Sequence, residues 1–224
     1  MLRYPCLVLD HDDTVVQSEA TVNYPCFCEY LALTRPGITI SLSQYIHACS
    51  QQPFVDICRE RFGFTDEELE QEYRFWMAYV RQHTPIPFSG IGQILHRQKE
   101  EGGLICVVSM SGTENILRDY NAHFGIIPDA IYSWDLPENL RKPNPYSLQH
   151  IMETYHLSPE ELIMIDDMKP GVDMARAAGV NVGFAAWGRL DYPEIMAPME
   201  QLCDYTFRNT QELERFLFRD VFVN

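Results

Sequence analysis

The arrangement of apolar and polar residues changes character twice along this chain. Short apolar runs separated by stretches of helical periodicity occur at the N-terminus and again from residue 91 onward. Strands that alternate with helices in this way favour βαβ units and a parallel sheet. Residues 17–88, in contrast, carry helical periodicity and few strand signals. The pattern therefore predicts an α/β sheet whose chain is interrupted after the first strand by a helical insertion.

The α/β part of the chain is predicted to contain six strands and five helices. The first strand ends at Leu9, and the others are predicted at 104–109, 130–133, 162–165, 180–186 and 205–207. The helices are predicted at 91–101, 113–124, 145–156, 172–178 and 210–218. Right-handed crossovers between parallel strands would bring the carboxyl ends of these strands to one edge of the sheet.

The insertion is predicted to contain four helices, at 18–33, 41–51, 53–62 and 65–80. Thr65 and Glu68 form a capping-box pattern at the start of the last of them. The predicted fold class is therefore α/β, a doubly wound parallel sheet with a small α-helical domain. The sheet domain would comprise residues 1–16 and 89–224, and the helical domain residues 17–88.

Composition narrows the range of partners. A chain of 224 residues with 46% apolar and 22% charged residues is ordinary for a globular protein that buries a full core. Its formal charge is −15, and its only lysines are Lys99, Lys142 and Lys169. Because nucleic acids are bound through basic surfaces, no nucleic-acid partner is expected.

The cysteines and the N-terminus indicate the cellular compartment in which the protein is expected. The seven cysteines are odd in number and scattered through apolar surroundings, which favours free thiols in a reducing compartment over a disulfide framework. The N-terminus shows no charged-then-apolar leader, and no apolar run approaches the roughly 20 residues of a membrane span. We therefore expect a soluble, cytoplasmic protein with no membrane partner; the oligomeric state is not readable from the sequence.

Acidic residues follow two of the predicted strands. Asp10, Asp12 and Asp13 come directly after the first strand, and Asp166 and Asp167 follow the fourth. Side chains alternate along an extended backbone, so Asp10 and Asp12 point the same way. Taken alone, the first group could be a solvated acidic turn. Convergence of the two groups at one sheet edge would instead form an oxygen-ligand site suited to Mg²⁺.

Groups that could hold an anion follow the second and third strands. Ser109 ends the second strand, and Lys142 lies beyond the third. A hydroxyl and an ammonium near a metal would bind a phosphate group, and the backbone amides after Ser109, including that of Met110, could add donors or form an ordinary turn. A carboxylate beside such a phosphate can act as nucleophile, and a second one can donate a proton to the leaving group. The pattern favours phosphoryl transfer.

These motifs resemble those of the haloacid dehalogenase superfamily, specifically its phosphatases with an α-helical cap. The resemblance spans essentially the whole chain. The first motif is matched by Asp10-x-Asp12-x-Thr14 and the second by Ser109 after an apolar strand. The third is matched by Lys142-Pro143-Asn144-Pro145 and the fourth by Asp166-Asp167. The phosphoglycolate phosphatase and β-phosphoglucomutase-like group is the most similar part of the superfamily, and the helical insertion resembles its mobile cap.

The resemblance implies a role for each residue. Asp10 would be the nucleophile and Asp12 the general acid and later base, and Ser109 and Lys142 would bind the phosphoryl group. The Mg²⁺ ligands would be Asp10, the backbone carbonyl of Asp12, Asp167 and, as either a ligand or an orienting acid, Asp166. Asp13 departs from the family pattern because glycine is common at its position. Gly171 departs as well, since some members carry a later aspartate there.

The function implied is Mg²⁺-dependent hydrolysis of a small phosphate monoester through an aspartyl-phosphate. Two alternatives remain open. One is a phosphosugar mutase resembling β-phosphoglucomutase, which would use the same residues. The other is a catalytically weak binding module that keeps the fold. Fold-level analogy does not separate the three.

Overall fold

The computed structural model describes residues 2–218 of the chain, which divides into two compact units. One unit combines the N-terminal segment up to Val16 with the chain from Pro87 onward, and the other is Gln17–Ile86. The α-helices of the described residues are, in chain order, α1 (Tyr24–Thr34), α2 (Leu42–Gln51), α3 (Phe54–Phe62), α4 (Asp66–Val80), α5 (Ile91–Glu100), α6 (Thr113–Phe124), α7 (Tyr146–Tyr155), α8 (Lys169–Ala178), α9 (Pro193–Leu202) and α10 (Thr210–Leu217).

The first unit is built on a parallel sheet of six strands in the order β3-β2-β1-β4-β5-β6. The strands are β1 (Cys6–Leu9), β2 (Leu104–Val108), β3 (Ala130–Tyr132), β4 (Leu162–Asp166), β5 (Asn181–Ala185) and β6 (Tyr205–Phe207). The strand order grows outward from β1 in both directions, as a doubly wound sheet requires. The predicted fold class is confirmed.

The central strand is buried on both faces. Leu7 and Leu9 lie in one hydrophobic cluster, together with apolar residues of α5, α6 and α10. Cys6 and Val8 lie in a second cluster, with residues of α7, α8 and α9. Because successive side chains of a strand point to opposite faces, helices on both sides of the sheet require a continuous apolar run. This explains why the strands appear in the sequence as unbroken apolar segments.

The second unit is helical, and the four predicted helices are present as α1–α4. Ser41 and Thr65 each cap the following helix through a complete capping box. A π-helical turn over Glu19–Asn23 leads directly into α1, whose first turn holds Pro25. Phe27 of α1 packs edge-on against two phenylalanines of α3, with ring centroids about 5 Å apart. Aromatic packing of this kind forms the core of the unit.

Two differences from the prediction share a cause. Helix α8 begins at Lys169, three residues before the predicted start, and α9 is absent from the prediction altogether. Both helices carry a proline within their first two positions, Pro170 in α8 and Pro193 in α9. Proline is tolerated there because the first N–H groups of a helix have no intrahelical acceptor. These prolines, and Pro198 inside α9, resemble helix breakers in the sequence.

A helix must be both long and apolar to cross a membrane. No helix within residues 2–218 combines these two properties.

Candidate active site

Asp10 and Asp166 are brought together by adjacent strands. Strand β1 lies beside β4 with Leu9 opposite Ile165, so both acids lie at the carboxyl edge of the sheet. The backbone N–H of Asp10 donates to the carbonyl of Ile165 over 2.9 Å, which continues the strand pairing by one residue. The convergence expected from the sequence is therefore present.

Three carboxylates form a buried cluster at this edge. Asp10, Asp166 and Asp167 each offer an oxygen such that all three lie within 4.8 Å of one another. Each of the three side chains is buried. Among the described residues, this group comprises these three acids and does not include the carboxylate of Asp12.

Lys142 lies between two of these acids. Its Nζ is 2.6 Å from Asp10 Oδ1 and 2.6 Å from Asp166 Oδ2, and its side chain is only 5% exposed. Burial alone would lower the pKa of Lys142, but the carboxylates of Asp10 and Asp166 outweigh burial and raise it. The side chain is therefore a fixed ammonium at the edge of the acid cluster.

The cluster fits a divalent cation by its charge and its donor atoms. Burial raises the pKa of Asp10 well above its ordinary value, and it raises the pKa of Asp167 as well, although Lys142 and Arg189 act in the opposite direction. The two buried cations therefore do not fully compensate the acids. Carboxylate oxygens in this number and spacing are ligands that Mg²⁺ or a similar hard cation accepts.

Asp166 is held on both of its oxygens. Oδ1 accepts a hydrogen bond from the backbone N–H of Met168 at 2.9 Å, and Oδ2 accepts from Lys142. Gly171 makes this placement possible, because a Cβ on that residue would lie 1.9 Å from Oδ2. The glycine that departs from the family pattern thus has a steric reason: a side chain at position 171 would displace the Asp166 carboxylate.

Asp12 faces the loop that follows β2. Ser111 Oγ donates to Asp12 Oδ2 at 2.5 Å, and Ser109 Oγ lies 3.5 Å from the same oxygen. Ser109 is buried and also accepts a hydrogen bond from the backbone N–H of Ser111 at 3.1 Å. Asp12, which follows β1, and Ser109, which follows β2, are therefore neighbours, as the sequence predicts.

Met110 lies between these two serines, and its side chain is 45% exposed. In the part of the chain that the structure describes, its backbone N–H has no acceptor. A free N–H beside a buried hydroxyl is suited to receive an anion.

The sequence reasoning missed two groups near the acids. Arg189 is buried and contacts both Asp13 and Asp167. His11 is buried and pairs with Asp119 through Nε2 and Oδ2 at 3.0 Å. Neither contact follows a fixed sequence spacing. A hint was available for both, since a charged or polar residue inside an otherwise buried segment usually has a partner.

The fold and the site define the class of protein. A model of the haloacid dehalogenase-like hydrolase family matches residues 7–185, a span that includes both acid groups, Ser109 and Lys142. The chain belongs to this family of hydrolases, as the resemblance in its motifs predicted.

Individual relatives support the same assignment. The chain is 26% identical over 170 residues to the pyrophosphatase PpaX of Halalkalibacterium halodurans, covering 74% of this chain and 75% of that protein. A protein from Haemophilus somnus, described as a predicted phosphoglycolate phosphatase, superposes with a TM-score of 0.75 at 16% identity, over 96% of this chain and 99% of that one. CbbY from Rhodobacter sphaeroides, solved with phosphate, gives 0.67 at 17% identity, over 95% and 96%. At these identities the structural matches establish the fold.

Proposed function

We propose that the protein is a Mg²⁺-dependent phosphatase that hydrolyses a small phosphate monoester through a phosphorylated aspartate. One observation carries the proposal: the ammonium of Lys142 contacts Asp10 and Asp166 together inside a buried acid cluster. A nucleophilic carboxylate, a fixed cation and a cation site are the parts that phosphoryl transfer needs. The relatives add support, since one is named a pyrophosphatase and another was solved with phosphate.

Asp10 acts as the nucleophile in the first step. A carboxylate oxygen of Asp10 forms a bond to phosphorus while the bond from phosphorus to the ester oxygen breaks. Asp12 delivers a proton to the departing oxygen, so the alcohol leaves neutral. Ser111 and Ser109, in the loop after β2, hold the carboxyl group of Asp12 through their hydroxyls.

Asp12 reverses its role in the second step. It takes a proton from water, whose oxygen attacks the phosphorus, and the bond to Asp10 breaks to release inorganic phosphate. Lys142, Ser109 and the free N–H of Met110 bind the phosphoryl oxygens in both steps. Lys142 also keeps Asp10 oriented and stabilises its ionised form against the effect of burial.

The cation site is formed by Asp10, the Asp12 carbonyl and Asp167, with Asp166 as a ligand or as the residue that orients Lys142. Mg²⁺ bound there would neutralise negative charge on the phosphate. The helical unit is proposed as the cap and as the source of substrate-recognising residues. Seven free cysteines support a reducing, cytoplasmic location, and the negative net charge argues against a nucleic-acid substrate.

Phosphate release from a panel of small phosphate esters tests the proposal. The wild-type protein should release phosphate from at least one ester in the presence of Mg²⁺, and a chelator should stop the release. Asp10→Asn should be inactive on every ester that the wild type cleaves. If no ester is cleaved, and turnover instead requires a hexose bisphosphate, the protein is a mutase. If neither occurs and ligand binding survives in Asp10→Asn, the protein is a binding module.

A further inference from the structure

Arg189 joins the metal-site acid Asp167 to the unusual acid Asp13. Its Nε and Nη2 donate to Asp167 Oδ2 at 2.9 and 2.5 Å, and Nη2 also lies 2.8 Å from Asp13 Oδ2. The side chains of all three residues are at most 7% exposed. A buried guanidinium between two buried carboxylates is a fixed arrangement, because each charge would be costly to bury without the others.

Asp13 adopts a backbone conformation that most residues avoid. Its φ is +53°, in the left-handed region, where glycine, asparagine and aspartate are tolerated best. An aspartate therefore meets the backbone requirement and at the same time places a carboxylate where glycine would have none.

The segment that carries Arg189 is attached to the same loop by two further contacts. Trp187 Nε1 donates to the carbonyl of Thr14 at 3.1 Å. Gly188 packs so closely that a Cβ on it would lie 3.3 Å from the carbonyl oxygen of Asp13. The turn after β5 therefore packs directly on the loop after β1. This backbone packing, as well as charge, places Arg189 beside Asp13 and Asp167.

Arg189 contacts one of the two carboxylate oxygens of Asp167. Both hydrogen bonds to Asp167 go to Oδ2, which fixes the carboxylate plane and leaves Oδ1 for another partner. Partners of this kind, which orient a metal ligand without touching the metal, commonly affect metal affinity.

We propose that Asp13 and Arg189 act as one unit that positions Asp167 for the divalent cation, with Asp13 acting on the cation site only through Arg189. This inference rests on the cation site of the proposed function. Both residues are positioning residues, since neither is expected to touch the substrate or the reacting atoms. Aspartate at position 13 then has a function: it supplies the second carboxylate that a buried arginine beside a metal ligand requires.

Asp13→Asn is the informative variant. Asparagine tolerates the left-handed conformation and keeps the size of the side chain, but it removes the negative charge. Arg189 then loses one ionic partner, so its guanidinium is held less firmly and Asp167 is positioned less well for the cation. We expect the dissociation constant for Mg²⁺ to rise about 10-fold, the lower end of the range for loss of such a partner.

The test is calorimetric titration of Mg²⁺ into chelator-treated protein, which needs no substrate. The proteins compared are wild type, Asp13→Asn, Arg189→Met and the double variant, with circular dichroism as a check of folding. Asp13→Asn should weaken binding in the wild-type background and have no further effect in the Arg189→Met background. Asp191→Asn is the matched control: it removes the same charge from an exposed side chain two residues from Arg189, and its binding should be unchanged.

Arg189→Lys keeps the charge and removes the forked geometry, so it should weaken binding to a similar degree even if Arg189→Met does not fold. Wild-type affinity in Asp13→Asn would overturn the inference, and so would an equal loss with and without Arg189. Asp167→Asn separates this failure from that of the proposed function. If the wild type binds no Mg²⁺, or Asp167→Asn binds it normally, the cation site itself is wrong and the inference is overturned with it.

Discussion

Gly171 lies against the carboxylate of Asp166 so closely that no side chain fits: a Cβ there would lie 1.9 Å from Asp166 Oδ2. The first turn of α8 therefore presses its backbone on the acid that holds Lys142 in place. Gly171 is not among the glycines with a positive φ, so its backbone conformation does not require glycine. The requirement comes from the close approach of its backbone to Asp166.

Gly171→Ala should damage the site as well as the fold. Displacing Asp166 breaks its contact with Lys142, so we expect kcat/KM for the cleaved ester to fall at least about 10-fold, with a loss of unfolding free energy of about 1–3 kcal/mol. Gly179→Ala is the control at the other end of the same helix. Its φ is +73° with open space around it, so it should lose about 1–2 kcal/mol of stability and keep wild-type kcat/KM. Equal kinetic losses in both variants would contradict the steric account.

Lys142→Met should remove activity and destabilise the site around neutral pH. Two buried carboxylates lose their shared ammonium, and a phosphoryl ligand loses its cation. We expect kcat to fall at least about 100-fold in steady-state assays. Lys99→Met is the control, because Lys99 pairs with Asp129, outside the acid cluster. That variant should keep the wild-type kcat, and retention of activity in Lys142→Met would contradict the assigned role.

Glu72 should make the stability of the helical unit depend on pH. The side chain is buried in α4, and burial raises its pKa to about 7. Since the folded state holds a proton that the unfolded chain releases, the unfolding free energy falls as pH rises from about 4.5 to about 7, by about 3 kcal/mol in total. Glu72→Gln should remove this fall. The measurement is chemical denaturation at about pH 5 and about pH 8, where wild type and variant should diverge at the higher pH. Glu67→Gln, an exposed position on the same helix, should behave as wild type, and a parallel pH profile for Glu72→Gln would contradict the prediction.

Asp119→Ala should destabilise the loop that carries Asp10 and Asp12. Asp119 accepts from His11 and from Arg118, and the carbonyl of His11 in turn accepts the N–H groups of Val15 and Val16. Leaving His11 buried without its partner should cost about 1–3 kcal/mol of unfolding free energy, measured by denaturant titration. Glu114→Ala, at an exposed position of the same helix, should cost less than about 1 kcal/mol. Equal losses in the two variants would contradict a role for the His11–Asp119 pair.

The sheet and its acids could be predicted because short segments of the sequence determine both. A strand buried on two faces must be apolar, and Asp10 and Asp166 end such strands. Parallel topology then brings the strand ends together without any knowledge of side-chain contacts. Lys142 could be assigned for a similar reason, since it is one of only three lysines and lies in a recognisable motif.

The supporting contacts could not be predicted because they are tertiary. Arg189 meets Asp13 only after the turn following β5 packs on the loop following β1, and no spacing in the sequence encodes that approach. Gly171 could not be explained from the sequence either. A glycine is required there because Asp166, five residues earlier but on a different element, occupies the space of a side chain. Residues that depart from a family pattern were therefore visible in the sequence, while their physical reasons needed the fold.

Covalent labelling of Asp10 tests the central claim most directly. The protein is mixed with an ester carrying a radiolabelled phosphoryl group, quenched in acid during turnover and digested into peptides. The account predicts label on the peptide that contains Asp10, lost on treatment with hydroxylamine as an acyl phosphate is, and no label in Asp10→Asn. Phosphate release without any label on that peptide, together with undiminished turnover in Asp10→Asn, would contradict it.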